Sequence, residues 1–213
     1  MPTDDLGTSP LLGFDLDMTL IDSRPGIKAV YDELSSRSGV PIDSDLVVSR
    51  LGPPVEAELR HWFPEAQVVA MADLYRALYA DLAVERVTAL AGARAAFDAV
   101  RARRGRVAVI TAKNAPDARR HLEHLGLEAD EVRGRAWREG KADALRELGA
   151  IAYVGDHVHD MEAARLADVT GVGVVTGPCS REDLEAAGAA LVIATLAELP
   201  EHLDTVWRAT GVA

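Results

Sequence analysis

Short apolar stretches alternate with helical patterns through the second half of the chain. Residues 106–110 are apolar after Arg106 and rich in β-branched side chains, which is typical of a buried strand. Residues 114–125 predict a helix, because an asparagine cap and a proline open the segment and Gly126 closes it. The alternation continues with predicted helices at 141–148, 158–167 and 181–187 and predicted strands at 151–154, 172–175 and 191–193. This order predicts an α/β fold with a doubly wound, mostly parallel sheet.

The first 90 residues follow a different pattern. An apolar run at 11–14 predicts one buried strand, and residues 22–90 then show no convincing strand but helical patterns at 26–37, 54–62 and 67–83. Prolines punctuate this segment. We therefore predict a helical block inserted after the first strand, above the carboxyl edge of the sheet. The predicted domains are an α/β core of residues 1–21 and 91–213 and a helical domain of residues 22–90.

Composition narrows the classes of function. The 213 residues include 48% hydrophobic side chains, enough for a sizeable core, and the net charge of −11 argues against nucleic acid or an anionic membrane as a partner. Cys179 is the only cysteine, so no internal disulfide can form and a reducing compartment is expected. Residues 1–10 lack a signal-peptide pattern, and no apolar run is long enough to cross a bilayer. We expect a cytoplasmic protein.

Two carboxylates, Asp15 and Asp17, follow the first predicted strand directly. If the strand geometry continues, both side chains project to the same side, and Leu16 projects to the other. Like charges repel at close range and burial increases the cost, so a divalent cation is the natural compensation. The carboxyl ends of strands are also where open α/β sheets bind their ligands.

Further polar groups stand where the predicted elements place strand ends or helix starts. Thr111 follows one strand, Lys141 opens a helix, and Asp156 and Asp160 follow another strand. A carboxylate can attack phosphorus, and a second carboxylate can protonate the leaving oxygen and then activate water. Mg²⁺ prefers carboxylate and phosphate oxygens, and threonine and lysine can hold a transferring phosphoryl group. This set therefore indicates phosphoryl chemistry that depends on Mg²⁺.

The same residues resemble the four ordered motifs of the haloacid dehalogenase superfamily. The motifs are the segment from Asp15 to Thr19, then Thr111, then Lys141, and finally Gly155-Asp156 with Asp160. The helical insertion is similar to the cap of the phosphoglycolate phosphatase-like branch of this superfamily. The resemblance covers nearly the whole chain.

The resemblance implies a role for each carboxylate. Asp15 would be the nucleophile and a metal ligand. Asp17 would be the general acid and base, and its backbone carbonyl would also bind the metal. Asp156 would be the third protein ligand, and Asp160 would support the metal site through water or a nearby contact. Dehalogenases and phosphonatases of the superfamily lack an acid at the second position, so Asp17 favours phosphate esters.

Thr111 and Lys141 would bind the phosphoryl group, and Lys141 would also restrain the Asp15 carboxylate. Two departures from the family pattern stand out. Met18 occupies a position that is usually glycine, and Lys141 is followed by alanine where proline is common. Lys113 is therefore a rival to Lys141 for the phosphate role, although the position of Lys141 before a helix and a strand suits the motif order better.

The function expected from these residues is Mg²⁺-dependent hydrolysis of a small phosphomonoester through an aspartyl-phosphate. The substrate would be a phosphorylated metabolite, such as a phosphoglycolate-like ester, a sugar phosphate or a nucleotide. Arg50 lies before a Gly-Pro break between predicted helices and is a candidate substrate contact. The alternatives are a phosphomutase of the same family and a phospho-acceptor signalling module. The helical insertion and Asp17 argue against the signalling module, since both promote turnover.

Overall fold

A six-stranded parallel sheet forms the centre of the computed structural model, which describes residues 9–209. The strands are β1 (Leu11–Phe14), β4 (Arg106–Ile110), β5 (Glu131–Arg133), β6 (Ala150–Gly155), β7 (Thr170–Val174) and β8 (Leu191–Ile193). Their order in the sheet is β5-β4-β1-β6-β7-β8. The predicted α/β fold with a parallel sheet is confirmed. Residues 1–8 and 210–213, which the predicted core domain includes, lie outside the described residues.

Strand β1 occupies the middle of the sheet because its four residues are apolar and buried on both faces. Phe14 lies opposite Val109 of β4 and Val154 of β6. One face of the sheet is covered by α5 (Ala93–Ala102), α6 (Ala115–His124) and α10 (Leu199–Ala209), and the other by α7 (Glu139–Leu148) and α8 (Val158–Ala167), while α9 (Arg181–Ala186) packs beside β7 and β8. The carboxyl ends of β1, β4 and β6 therefore meet at one edge.

In the sequence, a helical insert lies between β1 and β4, the next strand of this sheet. It contains α1 (Arg24–Ser38), α2 (Ser44–Val48), α3 (Val55–Leu59) and α4 (Glu65–Leu82). These helices enclose an apolar cluster of their own, to which Leu34, Leu59 and Tyr79 contribute fully buried side chains. Two short strands, β2 (Ile21–Asp22) and β3 (Thr88–Ala89), pair antiparallel and tie the ends of the insert together. The boundaries of the two domains stay predictions.

Most of the elements that the sequence pattern misses are short, although it also misses two longer helices, α5 with 10 residues and α10 with 11. Strands β2 and β3 have two residues each, which is too few to show an alternation. Strand β5 has three residues and carries a charged side chain at both ends, so it lacks the apolar run of its neighbours. Helix α2 has five residues and begins at the Asp43 cap. Among residues 9–209, no helix combines the length and the hydrophobicity needed to cross a bilayer.

We predict that Gly13→Ala destabilises the protein, because a Cβ at this position would lie 2.9 Å from a ring carbon of Tyr153 and 3.1 Å from Leu145. Overpacking of this kind costs about 1–3 kcal/mol. Gly140→Ala is the matched control, since its Cβ would meet nothing within 4 Å and alanine favours helix. Urea unfolding should show a lower free energy for Gly13→Ala alone. Equal stability of the two variants would contradict this packing argument.

Candidate active site

A tight turn after β1 carries Asp15 and Asp17 to the edge of the sheet. The Leu16 carbonyl accepts hydrogen bonds from the backbone N–H groups of Thr19, Leu20 and Ile21 at 2.9–3.3 Å, which closes a helix-like turn. Asp17 and Ile21 form a parallel bridge across this turn, so the chain coils once and keeps its direction. Both side chains therefore stay at the carboxyl end of β1, where the ends of β4 and β6 also lie.

Met18 takes the backbone conformation that glycine favours. Its φ is 61°, in the left-handed region, which costs an ordinary residue about 1–2 kcal/mol. Its side chain is only 3% exposed, and burying a methionine gains about 1.5–3 kcal/mol, so packing offsets the strain. Its carbonyl accepts a hydrogen bond from Thr176 Oγ1 at 2.6 Å. The left-handed turn thus forms with methionine in the position usually taken by glycine.

Three buried carboxylates form a compact cluster at this edge. Asp15, Asp156 and Asp160 each place a carboxylate oxygen within 4.8 Å of the other two. Lys141 lies among them, with its Nζ 2.7 Å from Asp15 Oδ1 and 2.6 Å from Asp160 Oδ1. The four residues come from the ends of β1 and β6 and from the first turns of α7 and α8. The fold therefore assembles the cluster from segments that are far apart in the sequence.

The cluster carries more negative charge than Lys141 can balance. Burial raises the pKa of Asp15 to about 7, although the Lys141 ammonium opposes this shift. Burial and the nearby charges of Asp15 and Asp160 also hold the pKa of Asp156 well above its usual value. With all three carboxylates ionised, one ammonium leaves a net negative site of hard oxygen atoms, and the raised pKa values reflect the cost of that charge when no further cation is present. This donor set fits a divalent cation such as Mg²⁺.

Asp17 faces a different lysine. Its Oδ1 lies 3.2 Å from Lys113 Nζ, and Lys113 also donates a hydrogen bond to Tyr79 Oη at 2.6 Å. Burial alone would raise the pKa of Asp17, but the charge of Lys113 and the hydroxyl of Ser23 lower it below the usual value. The two candidate lysines thus pair with different carboxylates, Lys141 with Asp15 and Lys113 with Asp17.

Two threonines form hydrogen bonds with residues of this site. Thr111, at the end of β4, is buried, and its Oγ1 accepts a hydrogen bond from the Lys113 N–H at 3.2 Å. Thr19 donates its hydroxyl to Asp156 Oδ1 at 2.7 Å and is fully buried. The contact of Thr19 was not predicted, because it joins residues 137 positions apart. Gly177 is also required here, since a Cβ at this position would overlap the Asp156 carboxylate.

The four carboxylates, the two lysines and Thr111 line one cavity of about 510 Å³ between the sheet edge and the helical insert. Every residue singled out as a candidate from the sequence reaches this cavity: Asp15, Asp17, Arg50, Thr111, Lys113, Lys141, Asp156 and Asp160. Arg50 lies on the insert side, where its guanidinium binds both oxygens of Glu58 at 2.9 and 2.7 Å. That ion pair was not predicted from the sequence.

Sequence comparison identifies the family. The model of the haloacid dehalogenase-like hydrolase family matches residues 13–174, well over half of the chain. The chain belongs to this family. The resemblance seen in the ordered motifs is therefore confirmed, and so is the expectation of a hydrolase. Among curated proteins, no sequence matches.

Solved structures of haloacid dehalogenase-like proteins share the whole fold. A haloacid dehalogenase-like hydrolase from Streptococcus pneumoniae is 19% identical with a TM-score of 0.81, over 93% of this chain and 100% of that chain. A predicted phosphatase from Clostridium acetobutylicum is 22% identical with a TM-score of 0.81, over 92% and 99%. A predicted phosphoglycolate phosphatase from Haemophilus somnus is 18% identical with a TM-score of 0.77, over 92% and 98%. At these identities the likeness establishes the fold alone.

We predict that Thr19→Val weakens divalent-metal binding, because it leaves one oxygen of the buried Asp156 without its hydrogen-bond donor. Loss of a partner that orients a ligand typically weakens metal affinity about 10-fold or more. The dissociation constant for Mg²⁺ can be measured by isothermal titration calorimetry. Thr19→Ser keeps the hydroxyl and is the matched control. Wild-type affinity in the valine variant would show that Thr19 does not orient Asp156.

Proposed function

We propose that this hydrolase is an Mg²⁺-dependent phosphatase that acts on a small phosphomonoester through an aspartyl-phosphate intermediate. The observation that carries the proposal is the buried cluster of Asp15, Asp156 and Asp160 around Lys141, with Asp17 facing the same cavity. A carboxylate nucleophile, a separate acid and base, and a cation beside the nucleophile are the groups that phosphoryl transfer through an acyl phosphate requires.

The carboxylates of Asp15 and Asp156 and the backbone carbonyl of Asp17 would hold the metal ion, with Asp160 in support. Their oxygen donors and their net negative charge suit Mg²⁺. When bound, Mg²⁺ would neutralise charge between the carboxylates and the anionic phosphoryl group. Thr111 and Lys141 would bind oxygens of the phosphoryl group, and Lys141 would also restrain the carboxylate of Asp15, with which it shares a hydrogen bond of 2.7 Å.

In the first step Asp15 would attack phosphorus, so that a bond from its carboxylate oxygen to phosphorus forms as the bond to the leaving oxygen breaks. Asp17 would give its proton to the departing alkoxide. In the second step Asp17 would take a proton from water as that water attacks phosphorus. Inorganic phosphate then leaves, and the Asp15 carboxylate is regenerated. The two carboxylates contact different lysines, Asp15 with Lys141 and Asp17 with Lys113, so they are not equivalent groups.

The helical insert would act as a cap over the cavity. It would exclude bulk water during the reaction and contact the leaving group. Arg50 lines the cavity from the insert and stays a proposed substrate contact, although Glu58 already holds its guanidinium. Phosphoglycolate-like esters, sugar phosphates and nucleotides are the substrate classes to compare. The expected cytoplasmic location also stays a prediction.

We predict that the protein releases phosphate from 4-nitrophenyl phosphate only with Mg²⁺, and that EDTA abolishes the activity. Asp15→Asn should lower kcat by about 10³-fold or more, because the amide cannot attack phosphorus. Asp143→Asn is the matched control, since this carboxylate is exposed on α7, where it pairs with Arg146. Continuous release of phosphate indicates a phosphatase, whereas a phosphoenzyme that persists would favour the signalling module. An Asp15→Asn protein as active as the wild type would refute the mechanism.

We predict that Lys141→Ala lowers kcat more than Lys113→Ala does. Lys141 contacts the proposed nucleophile, whereas the ammonium of Lys113 contacts only Asp17 and Tyr79 among the residues that the structure describes. Removing a charge that stabilises the transferring phosphoryl group typically costs about 10²-fold in kcat. Thermal unfolding of both variants should be measured in parallel, because each substitution leaves a buried carboxylate less well paired. A larger kcat loss at Lys113 would assign the phosphate role to that lysine.

A further inference from the structure

A chain of buried polar contacts leads away from Asp17 and crosses from the core into the helical insert. Lys113 lies 3.2 Å from Asp17 and 2.6 Å from the hydroxyl of Tyr79, and its ammonium also lies 4.4 Å from the centre of the Tyr79 ring. Tyr79 Oη in turn lies 3.1 Å from Nε2 of His121, and the two rings meet edge to face. Tyr79 belongs to α4 of the insert and His121 to α6 of the core.

The chemistry of these groups fixes the direction of the hydrogen bonds. An ammonium has donors and no lone pair, so Lys113 donates to Tyr79 Oη. The arrangement that also gives the hydroxyl proton of Tyr79 an acceptor directs it to Nε2 of His121. Burial and the charge of Lys113 lower the pKa of His121 to about 4, so its ring is neutral and can accept this bond. The ring proton therefore lies on Nδ1, which is buried without a hydrogen-bond partner among residues 9–209.

Polar side chains are an energetically costly choice for a buried contact between α4 and α6. Tyr79 is 1% exposed and His121 is fully buried, so an apolar pair could pack here without any polar atom to satisfy. Buried polar groups with an unpaired atom call for a reason beyond packing. The Lys113 end of this series of polar contacts supplies such a reason, because Lys113 contacts the carboxylate that would move protons in the reaction.

We propose that Tyr79 and His121 are positioning residues, which hold Lys113 and through it keep the Asp17 carboxylate in place for proton transfer to the leaving group. The inference rests on the proposed function, in which Asp17 is the general acid. It gives the insert a second task besides covering the cavity. Through Tyr79, the position of helix α4 sets the position of a side chain at the sheet edge.

The test compares two substrates of the intact protein with Mg²⁺. The leaving group of 4-nitrophenyl phosphate departs with little protonation, whereas the alkoxide of an alkyl phosphate must be protonated as it leaves. The ratio kcat/KM reports the steps up to that departure. Tyr79→Phe should lower kcat/KM for the alkyl phosphate about 10-fold or more, and for 4-nitrophenyl phosphate by less than about 3-fold. His121→Leu, which keeps the Tyr79 hydroxyl, should show the same selectivity with a smaller loss.

Tyr75→Phe is the matched control. It removes a hydroxyl from the same face of α4, and its ring packs against that of Tyr79 with centroids 5.5 Å apart. This control should change kcat/KM of both substrates by the same factor. A loss in Tyr79→Phe that is equal for the two substrates, or absent for both, would overturn the proposal.

Asp17→Asn separates this inference from the proposed function. If Asp17→Asn loses alkyl-phosphate hydrolysis selectively and Tyr79→Phe does not, Asp17 is the acid and the positioning chain is wrong. If Asp17→Asn itself shows no selectivity, the assignment of Asp17 as the general acid fails first. The inference gains support when all of Asp17→Asn, Tyr79→Phe and His121→Leu share the selective loss.

Discussion

The structure depends on holding three buried carboxylates together at one edge of the sheet. Asp15, Asp156 and Asp160 repel one another, and burial strengthens this repulsion because little water screens it. Lys141 balances part of the charge, and the rest suits a divalent cation. The parallel sheet makes the approach possible, since β1 and β6 are neighbours and their carboxyl ends coincide. Glycine at position 177 leaves room for the Asp156 carboxylate.

At the same edge of the sheet, Asp15 and Asp17 are only two residues apart but have different surroundings. The pKa of Asp15 rises to about 7 through burial, whereas the charge of Lys113 lowers that of Asp17. One lysine comes from α7 and the other from the loop after β4, so the fold gives each carboxylate a cation of its own. The two carboxylates are therefore not a pair of equivalent ligands. A divalent cation bound beside Asp15 would lower its pKa and favour the ionised form that a nucleophile needs. The lowered pKa of Asp17 suits its proposed task of taking a proton from water, in which it must be ionised.

The sequence predicts the features of this structure that depend on interactions between residues close together in the chain. Strands buried on both faces form apolar runs, which is why β1, β4 and β6 could be predicted, and the alternation at Asp15 and Asp17 correctly directs both toward one cavity. Sequence reasoning fails where contacts join distant segments. Tyr79 and His121 are 42 residues apart, and neither belongs to a motif that would draw attention to it. The choice between Lys113 and Lys141 also depends on how two loops pack, which spacing along the chain does not encode.

The sequence does not predict the substrate class, for a related reason. On the insert side of the cavity, Arg50 pairs with Glu58, and Arg76 pairs with both Glu56 and Asp73. Each guanidinium is neutralised by at least one carboxylate, so this wall presents hydrogen-bonding groups and no excess positive charge. A wall of this kind discriminates by the shape and hydroxyl pattern of a leaving group more than by its charge. Residue types alone cannot report that selectivity, because the same arginines without these carboxylates would select for a second anionic group.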